Sequence, residues 1–188
     1  MSFQTTVHHS WPEGYPGEIA TANPLRSVPA PVDGFRAGVD GLTVAAFAWA
    51  DPADSSSETL TNKGSGAPLG FVPRTQQGLT TAYLQAATMT VPPGFGVTLA
   101  GGGDFFALST TAALPGHAVY ASTTDGSIST AAAGSAPAGS VDTGWVVSRG
   151  QAAGAPIVIT GPMQPPKRSP EQPPTPLKPR KNHDHHPS

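Results

Sequence analysis

Glycine and proline, 22 of each, make up close to a quarter of this 188-residue chain, and their spacing constrains the fold more than any other feature. Each interrupts helix interiors, glycine through backbone entropy and proline through its ring and missing N–H. The breakers recur too often for long helices, so the chain must be built from short extended segments joined by turns. Its length gives room for one domain with appendages.

Charge divides the chain into unlike parts. Through Thr160, five basic residues (Arg26, Arg36, Lys63, Arg74, Arg149) face ten acidic ones, a net of −5. From Gly161 onward, Lys167, Arg168, Lys178, Arg180 and Lys181 oppose only Glu171 and Asp184, a net of +3. This last stretch also holds nine of the 22 prolines and almost nothing apolar. A segment so composed cannot bury enough surface to offset its ordering entropy, and it reads as a disordered or polyproline II tail when free. Charged residues are only 12% of the chain, about half the usual share. A surface so rich in Ala, Ser, Thr and Gly suits a protein packed against copies of another.

Residues 1–41 carry many breakers and little periodicity, which predicts an extended N-terminal arm with surface loops. A β domain is expected over 42–160, and the tail over 161–188. LTVAAFAWA, from Leu42 to Ala50, reads as a strand bounded by Gly41 and by Asp51-Pro52. LGFVP, from Leu69 to Pro73, reads as a second, ended by its proline. Leu79, Tyr83, Leu84 and Ala87 fall near helical spacing, although Gly78 and three threonines weigh against a helix there. Short strands are expected around Val91, Val97 to Leu99 and Phe105 to Leu108, with Gly101 to Gly103 as a tight loop. HAVYAS shows a half-buried alternation around Val119. Asp125-Gly126, between VYAST and SIST, predicts a hairpin with a type I′ turn. SVDTGWVVS and PIVIT complete the series. Strands and turns at roughly 8–12 residue spacing give an all-β class: sandwich, jelly roll or small barrel.

The chemistry of catalysis is poorly represented. There are no cysteines, which excludes disulfide scaffolds, thiolate metal sites and thiol nucleophiles. His8-His9 and His183, His185 and His186 form no four-ligand set held in place, so no metal is expected. His117 begins a strand and reads as a lone surface residue. No G-x-S-x-G elbow is present, and Gly101-Gly102-Gly103-Asp104 lacks the Lys-Ser/Thr that completes a phosphate loop. No cofactor and no enzymatic activity are therefore expected. The N-terminus lacks the charged and apolar regions of a signal peptide, and no run approaches the ~20 apolar residues of a membrane span. An acidic domain repels phosphate, which argues against specific nucleic-acid binding. Pro173, Pro176 and Lys178 fit a loose P-x-x-P-x-K pattern that a proline-rich tail produces by chance.

The order of motifs resembles the phage structural cement, or capsid decoration, protein family. The stretches that carry the resemblance are YPGEIATANPLRSV (Tyr15 to Val28), GLTVAAFAWADP (Gly41 to Pro52), GAPLGFVPRTQQGLTTAYL (Gly66 to Leu84), VPPGFGVTLAGGGDFFA (Val91 to Ala107), PGHAVYASTTDGSISTAAAG (Pro115 to Gly134) and GSVDTGWVV (Gly139 to Val147). The tail is outside it. The resemblance implies a jelly-roll or small β-barrel domain on the outer surface of a virion capsid, between major capsid proteins of the HK97-like fold. It also implies a homo-oligomer, a dimer before a trimer. Tyr15, Ile19, Leu25 and Arg26 of the arm are the expected contacts to capsid or neighbouring subunit. The competing reading is that Tyr15 and Ile19 only cap the protein's own core. A second functional reading is a host-surface or glycan-binding virion module of the tail-fibre type, for which Trp11, Trp49 and Trp145 are the available aromatic platforms. A third, a virion-associated hydrolase, requires a cleft with converging polar groups.

Overall fold

The structure, a computed structural model, describes residues 13–74 and 88–162. Among them there are strands and turns and no helix. The segment with helical spacing, 75–87, and the tail beyond Pro162 lie outside the described residues.

Fourteen strands follow in order: β1 (Arg26–Ser27), β2 (Phe35–Ala37), β3 (Leu42–Thr43), β4 (Phe47–Ala50), β5 (Thr59–Thr61), β6 (Gly70–Phe71), β7 (Thr90–Val91), β8 (Gly96–Val97), β9 (Ala100–Gly102), β10 (Asp104–Leu108), β11 (Ala118–Ser122), β12 (Ile128–Ala131), β13 (Ser140–Arg149) and β14 (Pro156–Thr160). A seven-stranded sheet has the order β1-β9-β6-β4-β5-β2-β8, and a five-stranded sheet the order β10-β14-β13-β11-β12. β3 and β7 form a separate two-stranded ladder. All pairs are antiparallel except β2–β5. The five-stranded sheet curls back on itself. Ser109, just past β10, makes a parallel bridge with Ile128 at the start of β12, and Thr110 N–H donates to the Ile128 carbonyl at 2.8 Å. Chain leaving the first strand thus covers the last, which removes a free edge. This is the all-β, jelly-roll or barrel type of domain that the sequence predicts.

Two cores result from the alternation of side chains along the shared strands. Phe47 and Trp49 of β4 enter one core while Ala48 enters the other, and Phe71 and Val72 divide likewise. A strand buried on both faces explains why FAWA, from Phe47 to Ala50, is apolar throughout rather than alternating. The first core joins the sheets. Phe47 and Phe71 come from the seven-stranded sheet, Phe105 and Trp145 from the five-stranded one. Phe71 lies 5.2 Å from Phe105 and 5.7 Å from Trp145 between ring centroids, and Phe47 meets Phe71 edge-on at 5.6 Å. The second core is mainly aliphatic, with Leu42, Val44, Leu60, Val72, Val91 and Leu99 around Phe35.

Several local expectations are corrected. LTVAAFAWA is two strands, because the chain turns at Val44–Ala46 with Ala45 at φ 60°. This conformation costs a non-glycine residue about 1–2 kcal/mol, and it is held by Ala45 N–H donating to the Val72 carbonyl at 2.9 Å. Asp125-Gly126 does close the β11–β12 hairpin, but not through a type I′ turn: only Gly126 has positive φ, at 70°. The loop is longer, closed by Gly126 N–H to the Ser122 carbonyl and Ser122 N–H to the Ser127 carbonyl, each at 2.9 Å. The glycines at 101 and 102 belong to β9, and Gly103 alone, at φ 119°, makes the corner at which the chain passes from one sheet to the other. A Cβ at Gly103 would meet Leu25 Cδ2 at 2.6 Å. β11 is buried from Ala118 to Ala121 rather than half-buried, with the Tyr120 hydroxyl donating to the Ala132 carbonyl at 3.1 Å. The segment read as an arm with loops also contributes β1 and β2 to the larger sheet.

Candidate functional site

The N-terminal segment is extended because Pro16, Gly17, Pro24 and Pro29 forbid a helix, and its free backbone groups must find partners elsewhere. They find them in both sheets. Gly17 N–H donates to the Phe106 carbonyl at 2.7 Å, Phe106 N–H to the Glu18 carbonyl at 2.9 Å, and Ala20 N–H to the Asp104 carbonyl at 2.9 Å. Ile19 bridges Phe105 in antiparallel register. On its other side Gly17 accepts at 2.7 Å from the N–H of Arg74, which follows β6 of the larger sheet. Residues 17–20 therefore staple the two sheets.

Side chains pin this staple at three points. Thr21 Oγ1 and Asn23 Nδ2 both donate to Asp104 Oδ2 at 2.6 Å, and Asp104 is buried. Burial pushes its carboxyl up, but hydrogen bonds from Thr21, Thr160 and Asn23 outweigh this and hold it below the usual carboxylate range. Glu13 pairs with Arg149 at 3.4 Å and accepts from Gln151 Nε2 at 3.2 Å. Arg26 of β1 donates to the carbonyls of Gly101 and Pro162, and glycines at 101 and 102 leave room for its guanidinium to lie over the backbone.

The four arm residues singled out from sequence take different places. Tyr15, Ile19 and Leu25 remain 67%, 54% and 49% exposed although the backbone beneath two of them is hydrogen-bonded. Arg26 is half-buried against its own chain. Three of the four, Ile19, Leu25 and Arg26, line one groove of about 290 Å³ together with Pro73, Arg74 and Phe105. Tyr15 stands at its rim, with the Arg74 guanidinium 5.3 Å from its ring centroid. Arg74 is the residue that sequence reasoning missed. Its only signal was a lone cation directly after an apolar strand, and nothing in the sequence pairs it with Tyr15. It forms no salt bridge among the described residues.

Other chemistry is sparse. Among the described residues no group of three or more His, Asp or Glu side chains could hold a metal, and no helix is long and apolar enough to cross a membrane. Trp49 and Trp145 are both buried in the first core, so neither forms an exposed aromatic platform; Trp11 lies outside the described residues.

Comparison with known proteins gives the class. Residues 3–161 match the sequence model of a family of minor capsid proteins. The chain belongs to that family, the XM1 gp53 minor capsid proteins. Among solved structures it resembles a chain of the capsid of Myoviridae phage XM1, with a TM-score of 0.54 and 18% identity, covering 85% of this chain and 97% of that one. At this identity the likeness speaks to the fold. No curated protein matches.

Proposed function

We propose that this protein is a structural decoration, or cement, protein that binds the outer surface of an HK97-like phage head between major capsid proteins and stabilises the shell. Membership of a minor capsid family supports a role in the phage capsid. The observation that carries the finer reading is the staple: an arm whose hydrogen-bonded backbone keeps Tyr15 and Ile19 exposed, with Leu25 exposed just before β1. Apolar and aromatic side chains held in place lose little entropy on contact and are the kind that dominate protein interfaces. The low charge of the surface fits packing against other subunits. Many identical contacts around a symmetric shell act together through avidity, so each can be individually weak. A homo-oligomer, dimer before trimer, fits the same scheme.

The experiment is to mix purified protein with expanded capsids lacking it, sediment the particles and quantify what co-pellets. Binding that saturates at a fixed ratio to the major capsid protein is the expected result. Absence of co-sedimentation turns the reading towards the host-surface or glycan-binding alternative, which burial of Trp49 and Trp145 disfavours.

A further inference from the structure

We infer that the groove between the arm and the Pro73–Arg74 segment is a docking site for an extended segment of a second polypeptide, one that presents an aliphatic side chain next to a carboxylate. The inference rests on the capsid-binding reading and names the chemistry of the partner at that site. The groove floor is apolar, with Leu99, Ala100 and Phe105 beneath and Ile19, Leu25 and Pro73 along its walls. Two of these walls are exposed aliphatic side chains that the protein's own core leaves partly uncovered. A volume of about 290 Å³ holds one or two side chains rather than a drug-sized ligand.

Charge selects the occupant further. Arg74 is fixed at the rim by its N–H bond to Gly17, by stacking over Tyr15 and by a contact of Nη1 with Met89 Sδ at 3.1 Å. None of these neutralises its charge. Of the other cations of the domain, Arg36, Lys63 and Arg149 each face a carboxylate of this chain, and Arg26 is taken up by the carbonyls of Gly101 and Pro162. A guanidinium left without a carboxylate among the described residues, beside an aromatic ring and an apolar groove, matches the Arg and Tyr composition of interface hot spots. Its fork geometry suits a carboxylate as well as a phosphate, and the net negative domain repels a phosphate-rich nucleic acid, which leaves an incoming Asp or Glu.

Two measurements test this. In the co-sedimentation assay, Arg74→Glu and Leu25→Ser should each weaken shell binding at least about tenfold, while Leu114→Ser, an exposed control on the connection between β10 and β11, binds as wild type. Wild-type binding with unaltered binding by Arg74→Glu and Leu25→Ser overturns the groove and leaves the capsid reading standing. Independently, a photo-crosslinking amino acid placed at Leu25 is irradiated in intact virions and the adduct mapped by mass spectrometry. A cross-link to another polypeptide, at an aliphatic residue within a few positions of Asp or Glu, supports the inference. Cross-links confined to this chain's own residues 75–87, or none at all, overturn it, whatever the sedimentation assay shows of the capsid reading.

Discussion

In the five-stranded sheet β13 runs for 10 residues and pairs with both β11 and β14, whereas no strand of the seven-stranded sheet exceeds four. The smaller sheet is held by long ladders between strands mostly near in sequence. The larger one brings β1 beside β9 and sets β2 parallel to β5 with only a few ladder bonds at each seam. Its integrity must come from burial: Phe47, Leu60 and Phe71 of its strands, and Leu99 just before β9, are all fully inaccessible. Residues 17–20 of the arm lie in no named strand and tie both sheets. Short strands with a shared core can thus carry an exposed apolar edge, provided a staple fixes it.

The aromatic seam is where this comparison is most exposed to test. Phe71→Ala removes the ring that touches Phe47, Phe105 and Trp145, and should cost about 3–5 kcal/mol in urea unfolding. Because the ring serves both sheets, near-UV and far-UV signals should still move together; separate transitions would mean that the sheets are independent units. Asp104→Ala breaks the pin to Thr21 and Asn23 and should cost about 1.5–3 kcal/mol, with faster amide exchange confined to residues 17–23. Uniform exchange across β10 as well would show that the arm is not a separable staple.

Acid offers the same test without mutation. Asp104 has a depressed pKa when folded, so its contribution is fully present above the unfolded carboxylate pKa and fades as pH falls through the folded value. Arm protection should therefore weaken on acidification below the ordinary carboxylate range, and Asp104→Asn should flatten that part of the profile. The smallest effect is expected at the closing contact of the five-stranded sheet. Thr111 Oγ1 donates to the Thr130 carbonyl and accepts from its N–H, both at 2.8 Å, and Thr111→Val should cost about 1 kcal/mol by denaturant titration. A loss as large as that of Phe71→Ala would contradict the assignment of the sheet's stability to its ladders.

The two sheets were also unequally legible in the sequence. β10 to β14 fall where DFFAL, HAVYAS, SIST, SVDTGWVVS and PIVIT place them, because local turn signals separate adjacent strands. The larger sheet hides its pairing: β1 and β2 are two and three residues long, too short for any period to show. The break at Ala45 was invisible because alanine gives no warning of a left-handed backbone. In the arm, the apolar and aromatic types of Tyr15, Ile19 and Leu25 were plain in the sequence but whether they cap the core or stay exposed was not, and the Asp104 pin and the Arg74–Tyr15 stack arise only from contacts between distant segments.

The most direct test of the account is a cryo-EM reconstruction of expanded shells saturated with the protein. Added density on the outer surface at junctions between major capsid subunits, with residues 15–26 and Arg74 turned towards the shell, is the predicted result. Saturated shells without outer density, or density in which this face points away from the shell, would contradict it.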